Sequence, residues 1–346
     1  MAVRPSLVPA TALTTGQRFF HMHHLDAIRQ PIGAELADFR QLFEHTLSHT
    51  DPFIEEALAH VRAQAGKMMR PMMVLLVAKD SGKVSSVAHQ AAVALEMLHT
   101  ASLVHDDVVD EADVRRGQAS VNTAYGNKVA VLLGDYMLSR LLLLAAQTND
   151  LRIVEQISRL GGTLSEGEIY QLQNLRQEIV DEQAYFKVIH HKTAELFATC
   201  AELGAIATGR DATFCQSARR FGEIVGLCFQ LRDDILDYRS NATVMGKPTA
   251  HDLAEGKLTL PIIHALSKAG TTQEMARVRR LRQGTATPED LPALLSFVEA
   301  QGGIEYTETR MYELRSEALS QLSNFSDESV KKALQAYLDY AIEREK

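Results

Sequence analysis

Apolar residues recur at the spacing of an α-helix along almost the whole chain from Pro31 onward, and no alternating, strand-like runs interrupt them. Pro and Gly mark breaks between the helical segments, as at Asp51-Pro52 and Ser81-Gly82. No stretch has the composition of a flexible linker. The longest candidate helices cover about 84–109, 128–148, 150–176, 181–208 and 211–238. The pattern predicts an all-α fold in one domain that is larger than a four-helix bundle.

The composition agrees with a helical, globular fold and excludes several functional classes. Apolar residues make up 46% of the 346 residues, while 20 Gly and 9 Pro are few for a β-sandwich or barrel. The formal net charge of −8 has the wrong sign for binding nucleic acid through the overall field. Three cysteines form no Cys-x-x-Cys pair and predict reduced, buried thiols in a cytoplasmic protein, namely Cys200, Cys215 and Cys228.

Two segments bear on targeting and on membrane association. The apolar stretch 129–146 is interrupted by Asp135 and Arg140, so we expect no transmembrane segment. The first 25 residues contain no Asp or Glu. They predict a disordered or leader segment ahead of a domain that spans 26–346.

The pentad Asp-Asp-x-x-Asp occurs twice, at Asp106–Asp110 and at Asp233–Asp237, each near the C-terminal end of a long apolar helix. Three crowded carboxylates repel one another, and the helix dipole disfavours negative charge at this end. One such pentad suits a solvated acidic helix end, but two of them indicate a compensating cation. Mg²⁺ commonly takes one or two carboxylates together with substrate phosphate oxygens. We therefore expect Mg²⁺ at Asp106, Asp107, Asp110, Asp233, Asp234 and Asp237.

Several basic residues stand in settings that are typical of anion binding. Each of them taken singly suits an ordinary surface charge. Arg matches phosphate oxygens bidentately and Lys supplies a compact charge, so the set together with two pentads predicts a site for two diphosphates. They occur in Gly-Lys-x-x-Arg-Pro, Arg-Arg-Gly, Lys-Thr and two Gly-Lys pairs, at Lys67, Arg70, Arg115, Arg116, Lys192, Lys247 and Lys257.

A stripe of helical spacing leads up to each pentad. On the first helix it holds His99 and Ser102, and on the second it holds Gln230 beyond Gly222 and Gly226. The two glycines leave room on that face. They indicate either a groove for an elongated apolar ligand or a closely packed neighbouring helix.

These motifs, in this order, resemble those of the trans-isoprenyl diphosphate synthase family. The resemblance runs from about Pro31 to the C-terminus. It implies a bundle of long helices around a deep central cavity, usually as a homodimer. It also implies condensation of isopentenyl diphosphate with an allylic diphosphate.

The resemblance further assigns roles to individual residues. The first pentad would bind two Mg²⁺ ions, and the second pentad would bind a third, mostly through Asp233. The pocket for isopentenyl diphosphate would consist of Lys67, Arg70, His99 and Arg116. The allylic diphosphate would contact Arg115, Lys192, Thr193, Gln230, Lys247 and Lys257.

In the implied reaction, the carbon–oxygen bond of the allylic diphosphate ionises and the double bond of isopentenyl diphosphate attacks the allylic cation. Metal ions and cationic side chains stabilise the charge that develops on the diphosphate. No side chain acts as a nucleophile, in agreement with a sequence that lacks a Ser-His-Asp or Cys-His arrangement. The catalytic residues would be Asp106, Asp107, Asp110, Lys192, Asp233 and Asp234.

The length of the product is set, in this family, by residues one helical turn before the first pentad. Here those residues are Ala101 and Ser102, and both are small. They predict a long-chain, all-trans product, such as the side chain of a quinone, although small residues also allow close helix packing. Tyr136, Met137 and Leu141 on the next long helix are candidates for the floor of the tunnel.

Two positions depart from the pattern of the family. His191 stands where an aromatic or basic residue is more usual. The C-terminal Arg344-Glu345-Lys346 is a loose version of the family's basic tail, so Arg344 is not assigned to the site.

Four alternatives stay open from the sequence. A farnesyl or geranylgeranyl diphosphate synthase would share the same motifs. A class I terpene cyclase has no need of Lys67, Arg70 or Arg116. A non-catalytic subunit of a heteromeric synthase usually has degraded pentads, and a structural helical protein would be indifferent to Mg²⁺.

Overall fold

Helices make up nearly all of the regular structure in the parts of the chain that this computed structural model describes, residues 24–176, 181–239 and 250–345. A first helix, α1, covers 24–29 and continues into a 3₁₀ turn at Gln30–Ile32. The helices that follow are α2 (Gly33–Thr46), α3 (Pro52–Ala63), α4 (Met69–Lys79), α5 (Ser86–Val109), α6 (Val121–Tyr125), α7 (Asn127–Gln147) and α8 (Leu151–Arg176).

The second half of the described chain continues in the same way. A π-helical turn, His190–Ala194, separates two helices, and a 3₁₀ turn, Leu322–Asn324, precedes the last one. The helices are α9 (Glu182–Ile189), α10 (Glu195–Ile206), α11 (Ala212–Arg239), α12 (His251–Ala254), α13 (Leu260–Ala269), α14 (Thr272–Arg282), α15 (Asp290–Ala300), α16 (Gly303–Gln321) and α17 (Glu328–Glu343).

The all-α fold predicted from the sequence is confirmed, and the ends of the long helices fall within two residues of their predicted positions. Ser85 caps α5 because its hydroxyl accepts a hydrogen bond from the backbone N–H of Ala88. Asp110 is the C-terminal cap of α5, and Asp237 lies in the last turn of α11. Each pentad therefore lies where the helix dipole adds to the cost of its charges.

A small antiparallel hairpin, β1 (Val114–Arg115) and β2 (Gln118–Ala119), was not predicted. Arg116 and Gly117 form its two-residue turn, and both have positive φ, as a type I′ turn requires. Strands of two residues are too short to show an alternating pattern, so the sequence carried no signal for them.

α10 is the central helix of the bundle. Every one of its residues except Glu202 is buried, because α4, α8 and α11 pack around it. A helix that is apolar on all sides is expected to be enclosed in this way. Its position brings the segment that precedes it, the π turn, to the middle of the molecule.

Small residues allow α11 to lie close against α10. A Cβ atom at Gly222 would stand 2.3 Å from the Phe197 carbonyl oxygen, and one at Gly226 would stand 2.6 Å from Cα of Ala194. Of the two sequence-based interpretations of these glycines, the structure shows the closely packed helix, and no groove forms on this face among the described residues.

The segment predicted as one helix over 181–208 is interrupted at the π turn. This turn carries Lys192 and Thr193 and packs against Gly167 of α8, where a Cβ atom would stand 2.9 Å from Cγ of Lys192. π turns of this kind often occur at functional sites. The interruption changes the direction of these two polar side chains relative to an uninterrupted helix.

Two further expectations concerned the cysteines and a transmembrane segment. All three cysteines are free and buried, as predicted. Among the described helices, α7 is long and apolar enough to cross a membrane by length and composition alone, and 39% of its apolar window is buried. α7 packs lengthwise against α5.

Candidate active site

A cavity of about 640 Å³ opens between α5, α8, α10 and α11. Residues from distant motifs meet there because the helices that carry them converge on the π turn. The predicted site residues that line this cavity are Arg70, His99, Ser102, Asp106, Asp110, Arg115, Lys192, Thr193 and Gln230.

A second cavity, of about 250 Å³, shares Lys192 and Gln230 with the first. It is also lined by Asp234 and Lys257. The two cavities therefore share part of their lining, and the second one reaches Asp234 of the second pentad. Lys247 lies outside the described residues.

Acidic residues around Lys257 shift its pKa. Burial lowers the pKa of Lys257, but the hydrogen-bonded Glu255 and the charges of Asp252 and Asp110 outweigh burial and raise it. Asp110 belongs to the first pentad, and the backbone N–H of Asp252 donates to Asp237 of the second. The charge of Lys257 therefore interacts with Asp110 of the first pentad and with Asp252, a neighbour of the second.

The carboxylates of the first pentad separate into two environments. Asp106 and Asp110, four residues apart, share a face of α5 and line the large cavity. Asp107 is only 1% exposed and pairs with the Arg115 guanidinium, with 2.6 Å from Nη2 to Oδ1. Two carboxylates thus remain directed at the cavity, while the third holds Arg115 beside them.

The surroundings of Asp106 shift its pKa. Burial raises its pKa to about 6, and Glu168 on α8 adds to the effect, whereas Lys192 opposes it. The Lys192 ammonium lies 2.6 Å from Oε1 of Glu168 and donates to Oε1 of Gln171 at 2.8 Å. Lys192 is therefore held at the rim of the cavity by side chains of α8.

The carboxylates of the second pentad have three different sets of partners. Asp233 is 41% exposed and lies 2.7 Å from the guanidinium of Arg344. Asp237 accepts hydrogen bonds from the backbone N–H groups of His251 and Asp252, both at 3.1 Å. Asp234 is 1% exposed, and its burial raises its pKa to about 8.

The predicted pocket for isopentenyl diphosphate adjoins the large cavity. Burial, followed by the charges of Arg70, Arg116 and Arg115, lowers the pKa of His99 well below its ordinary value, so the ring is neutral near pH 7. The Nε of Arg70 is buried and has no hydrogen-bond partner among the described residues, and Arg70 also lines the large cavity.

The other two cations of this pocket are held by backbone and by the C-terminal helix. Arg116 lies over Gly66, where a Cβ atom would stand 2.7 Å from its guanidinium, and it donates to the Gln64 carbonyl oxygen. The ammonium of Lys67 donates to the Tyr340 hydroxyl of α17 at 2.8 Å.

The apolar end of the cavity is formed by α5, α7, α8 and α10. Ser102 lines it, whereas Ala101 is fully buried and is not among the described lining residues. α7 contributes Leu138, whereas Tyr136, Met137 and Leu141, predicted as the tunnel floor, are not among the residues that line this cavity. Other apolar side chains of the lining are Leu98, Leu164, Leu196 and Phe197.

Sequence reasoning missed several side chains that shape the site. Glu96, buried 4.0 Å from Arg70, lies one helical turn before His99, and its spacing could have identified it. No motif marks Glu168 or Tyr185, because each acts on a pentad through a contact between distant helices. Arg344 was left out because the C-terminal tail departs from the pattern, yet it contacts Asp233.

The two pentads predict a magnesium site. Among the described residues, no group of three or more His, Cys, Asp or Glu side chains is close enough to hold a metal ion. Asp106 and Asp110 line the large cavity and Asp234 lines the second one, so each pentad supplies one or two carboxylates to a cavity. This arrangement fits Mg²⁺, which commonly completes its coordination with phosphate oxygens and water.

Comparison with known proteins gives consistent results. The family model described as polyprenyl synthetase matches residues 51–298. The chain is 32% identical to octaprenyl diphosphate synthase of Haemophilus influenzae over 92% of this chain and 97% of that protein.

Two solved structures cover 93% of this chain and the whole of their own. A decaprenyl diphosphate synthase from Rhodobacter capsulatus superposes with a TM-score of 0.87 at 32% identity. A geranylgeranyl pyrophosphate synthase from Bacteroides thetaiotaomicron superposes with a TM-score of 0.80 at 40% identity.

Replacement of Glu168 by Gln tests the electrostatics around Asp106. The change removes a negative charge near Asp106 and releases Lys192, so the pKa of Asp106 should fall from about 6. Mg²⁺ binds the ionised carboxylate, so its affinity is lost as the pH falls through this pKa. The pH midpoint of Mg²⁺ binding, measured by titration calorimetry, should move down by about 0.5–1 unit.

Glu166→Gln is the matched control on the same helix, because Glu166 faces His191 rather than Asp106. An unchanged midpoint in Glu168→Gln, or an equal shift in both variants, would contradict the assignment.

Proposed function

The chain belongs to the polyprenyl synthetase family, and we propose that it condenses isopentenyl diphosphate with an allylic diphosphate to give a long-chain, all-trans polyprenyl diphosphate. It is a trans-prenyltransferase. The observation that supports the proposal is that Asp106 and Asp110 of the first pentad line one cavity, Asp234 of the second pentad lines another, and the two cavities share Lys192 and Gln230. A quinone side chain is the product that best suits an enzyme of this type.

We propose Mg²⁺ as the metal, with three ions per site when substrate is bound. The ions would be held chiefly by Asp106 and Asp110, which line the large cavity, and by the partly exposed Asp233. When bound, they supply Lewis-acid stabilisation of the charge that develops on the allylic diphosphate. Asp107, Asp234 and Asp237, with their protein partners, hold each pentad in place around these positions.

The allylic diphosphate is proposed to lie where the two cavities join. Lys192 and Gln230 line both cavities, while Thr193 lines the first and Lys257 lines the second. Arg115 is fixed beside it by Asp107. As the allylic carbon–oxygen bond breaks, its electron pair passes to the diphosphate, and these cations stabilise that charge.

Isopentenyl diphosphate is proposed to bind on the other side of the large cavity. Lys67, Arg70 and Arg116 supply the positive charge, while the neutral His99 supplies a hydrogen bond rather than a charge. The double bond then attacks the allylic carbon, and a proton is lost to the departing diphosphate. Holding both substrates in one cavity makes this step effectively intramolecular.

Purified protein with Mg²⁺, isopentenyl diphosphate and an allylic starter tests the function. Extracted products are sized by mass spectrometry. A ladder that ends in long-chain prenyl diphosphates is expected. Cyclic hydrocarbons would identify a terpene cyclase, turnover that needs a second protein would identify a subunit, and products that stop at farnesyl or geranylgeranyl diphosphate would identify a short-chain synthase.

Product length should depend on Ser102, because this side chain faces the apolar end of the cavity. Ser102→Phe fills space that the growing chain needs, so the main product should shorten while turnover of the starter is retained. Chromatographic sizing of the products measures the effect. Ser102→Ala, which keeps the space open, is the control, and unchanged product length in Ser102→Phe would refute the tunnel assignment.

We propose that the enzyme is a homodimer that assembles through α7. Four large apolar side chains of α7 are exposed, and they form two pairs that are eleven residues, about three helical turns, apart. The two members of each pair therefore lie on the same side of the helix: Val131 with Leu142, and Leu132 with Leu143. Leu132 is 67% exposed and Leu143 is 51% exposed. An apolar stripe of this size on a helix indicates a protein interface.

The double substitution Leu132→Glu, Leu143→Glu should convert a dimer into a monomer, because it places charges in an apolar interface. Light scattering after size-exclusion chromatography measures the mass. Tyr312→Glu, at an exposed aromatic residue of α16, is the control and should stay dimeric. A dimeric double variant would exclude α7 as the interface.

The compartment and the domain bounds are further proposals. The free, buried cysteines are compatible with a reducing compartment, and we propose the cytoplasm. We also propose that residues 26–346 form the catalytic domain. Residues 24 and 25, predicted to belong to a leader or disordered segment, are helical and begin α1, and residues 1–23 lie outside the described residues.

A further inference from the structure

Tyr185 is a buried tyrosine that lies against the second pentad but belongs to no motif. It is carried by α9 and is 4% exposed. Its hydroxyl donates a hydrogen bond of 2.5 Å to Oδ2 of Asp234. Tyr185 and Asp234 both line the second cavity.

The other oxygen of Asp234 continues a chain of hydrogen bonds towards the cavities. Oδ1 of Asp234 accepts from the amide nitrogen of Gln230 at 3.0 Å. The amide oxygen of Gln230 in turn accepts from the hydroxyl of Thr193 at 3.0 Å. Tyr185 is thus connected, through two side chains, to the π turn that carries Lys192.

This chain determines which way the Gln230 amide faces. The amide nitrogen of Gln230 faces Oδ1 of Asp234, and the amide oxygen is left to accept from Thr193. Both Gln230 and Thr193 line the large cavity. A turned amide would place its oxygen against Asp234 and its N–H groups against the Thr193 hydroxyl, so both hydrogen bonds would have to change.

Asp234 can hold the Gln230 amide only while its other oxygen, Oδ2, also accepts a hydrogen bond. It is 1% exposed, so water cannot replace a lost donor without rearrangement. A buried acceptor without a partner is costly, and removal of one donor disturbs the remaining bond of the carboxylate. The hydroxyl of Tyr185 is therefore required for the whole chain.

We propose that Tyr185 is a positioning residue for the allylic diphosphate, acting through Asp234 to fix Gln230 and Thr193 at the join of the two cavities. This inference rests on the proposed function, since the ligand at that point is the allylic diphosphate. Its chemistry requires only a diphosphate, so inorganic pyrophosphate serves as a probe that does not depend on turnover.

Tyr185→Phe removes the hydroxyl and keeps the ring. Tyr306→Phe is the matched control, because the Tyr306 hydroxyl donates at 2.8 Å to Glu182, a carboxylate on the same helix α9. In the presence of Mg²⁺, Tyr185→Phe should weaken pyrophosphate binding at least about ten-fold by calorimetry. Tyr306→Phe should stay within about two-fold of the unsubstituted protein.

Kinetics give a second, independent result. Tyr185→Phe should raise KM for the allylic substrate at least about ten-fold, while KM for isopentenyl diphosphate changes less than about two-fold. Gln230→Met should likewise raise KM for the allylic substrate more than KM for isopentenyl diphosphate. The double variant should cost little more than the larger single variant, because both changes break one chain.

Several outcomes would overturn the inference. Equal behaviour of Tyr185→Phe and Tyr306→Phe would assign Tyr185 to the packing of α9, and additive effects with Gln230→Met would exclude a connected chain. Where Tyr185→Phe does not fold, Gln230→Met alone must weaken pyrophosphate binding. If Tyr185→Phe weakens pyrophosphate binding but the unsubstituted protein transfers no prenyl group, this inference is retained and the proposed function is refuted.

Discussion

Repulsion among the six aspartates of the two pentads is the constraint on which this structure depends. The protein reduces that repulsion by giving the members of each pentad different partners. Arg115 pairs with Asp107, Tyr185 and Gln230 bind Asp234, and two backbone N–H groups bind Asp237. What remains is a small number of carboxylates directed at the cavity, which is the ligand number that Mg²⁺ with a phosphate substrate requires.

The helical scaffold serves this arrangement by fixing the π turn at its centre. α10 is enclosed on all sides, and Gly222 and Gly226 let α11 approach its backbone closely. Side chains in a closely packed interior have little room to move, so Lys192 and Thr193 are held in place between α8 and α11. The rigid packing and the reactive groups therefore depend on the same short segment.

Much of the fold could be predicted because long helices carry their periodicity locally. The ends of α5 and α11, the pentads and the cationic motifs are all visible in short stretches of sequence. The hairpin at Arg116-Gly117 and the π turn left no such signal, since one is too short and the other depends on packing against Gly167. Tyr185 and Glu168 could not be predicted for a similar reason, because their roles arise only when distant helices meet.

The central claim is that both pentads gather metal ions around one diphosphate. Anomalous diffraction from crystals grown with Mn²⁺ and a thio-linked allylic diphosphate, which cannot ionise, tests it most directly. The account predicts manganese peaks on Asp106, Asp110 and Asp233 with the diphosphate lying between them, beside Lys192 and Lys257. Manganese on one pentad alone, or a diphosphate bound away from this cavity, would contradict it.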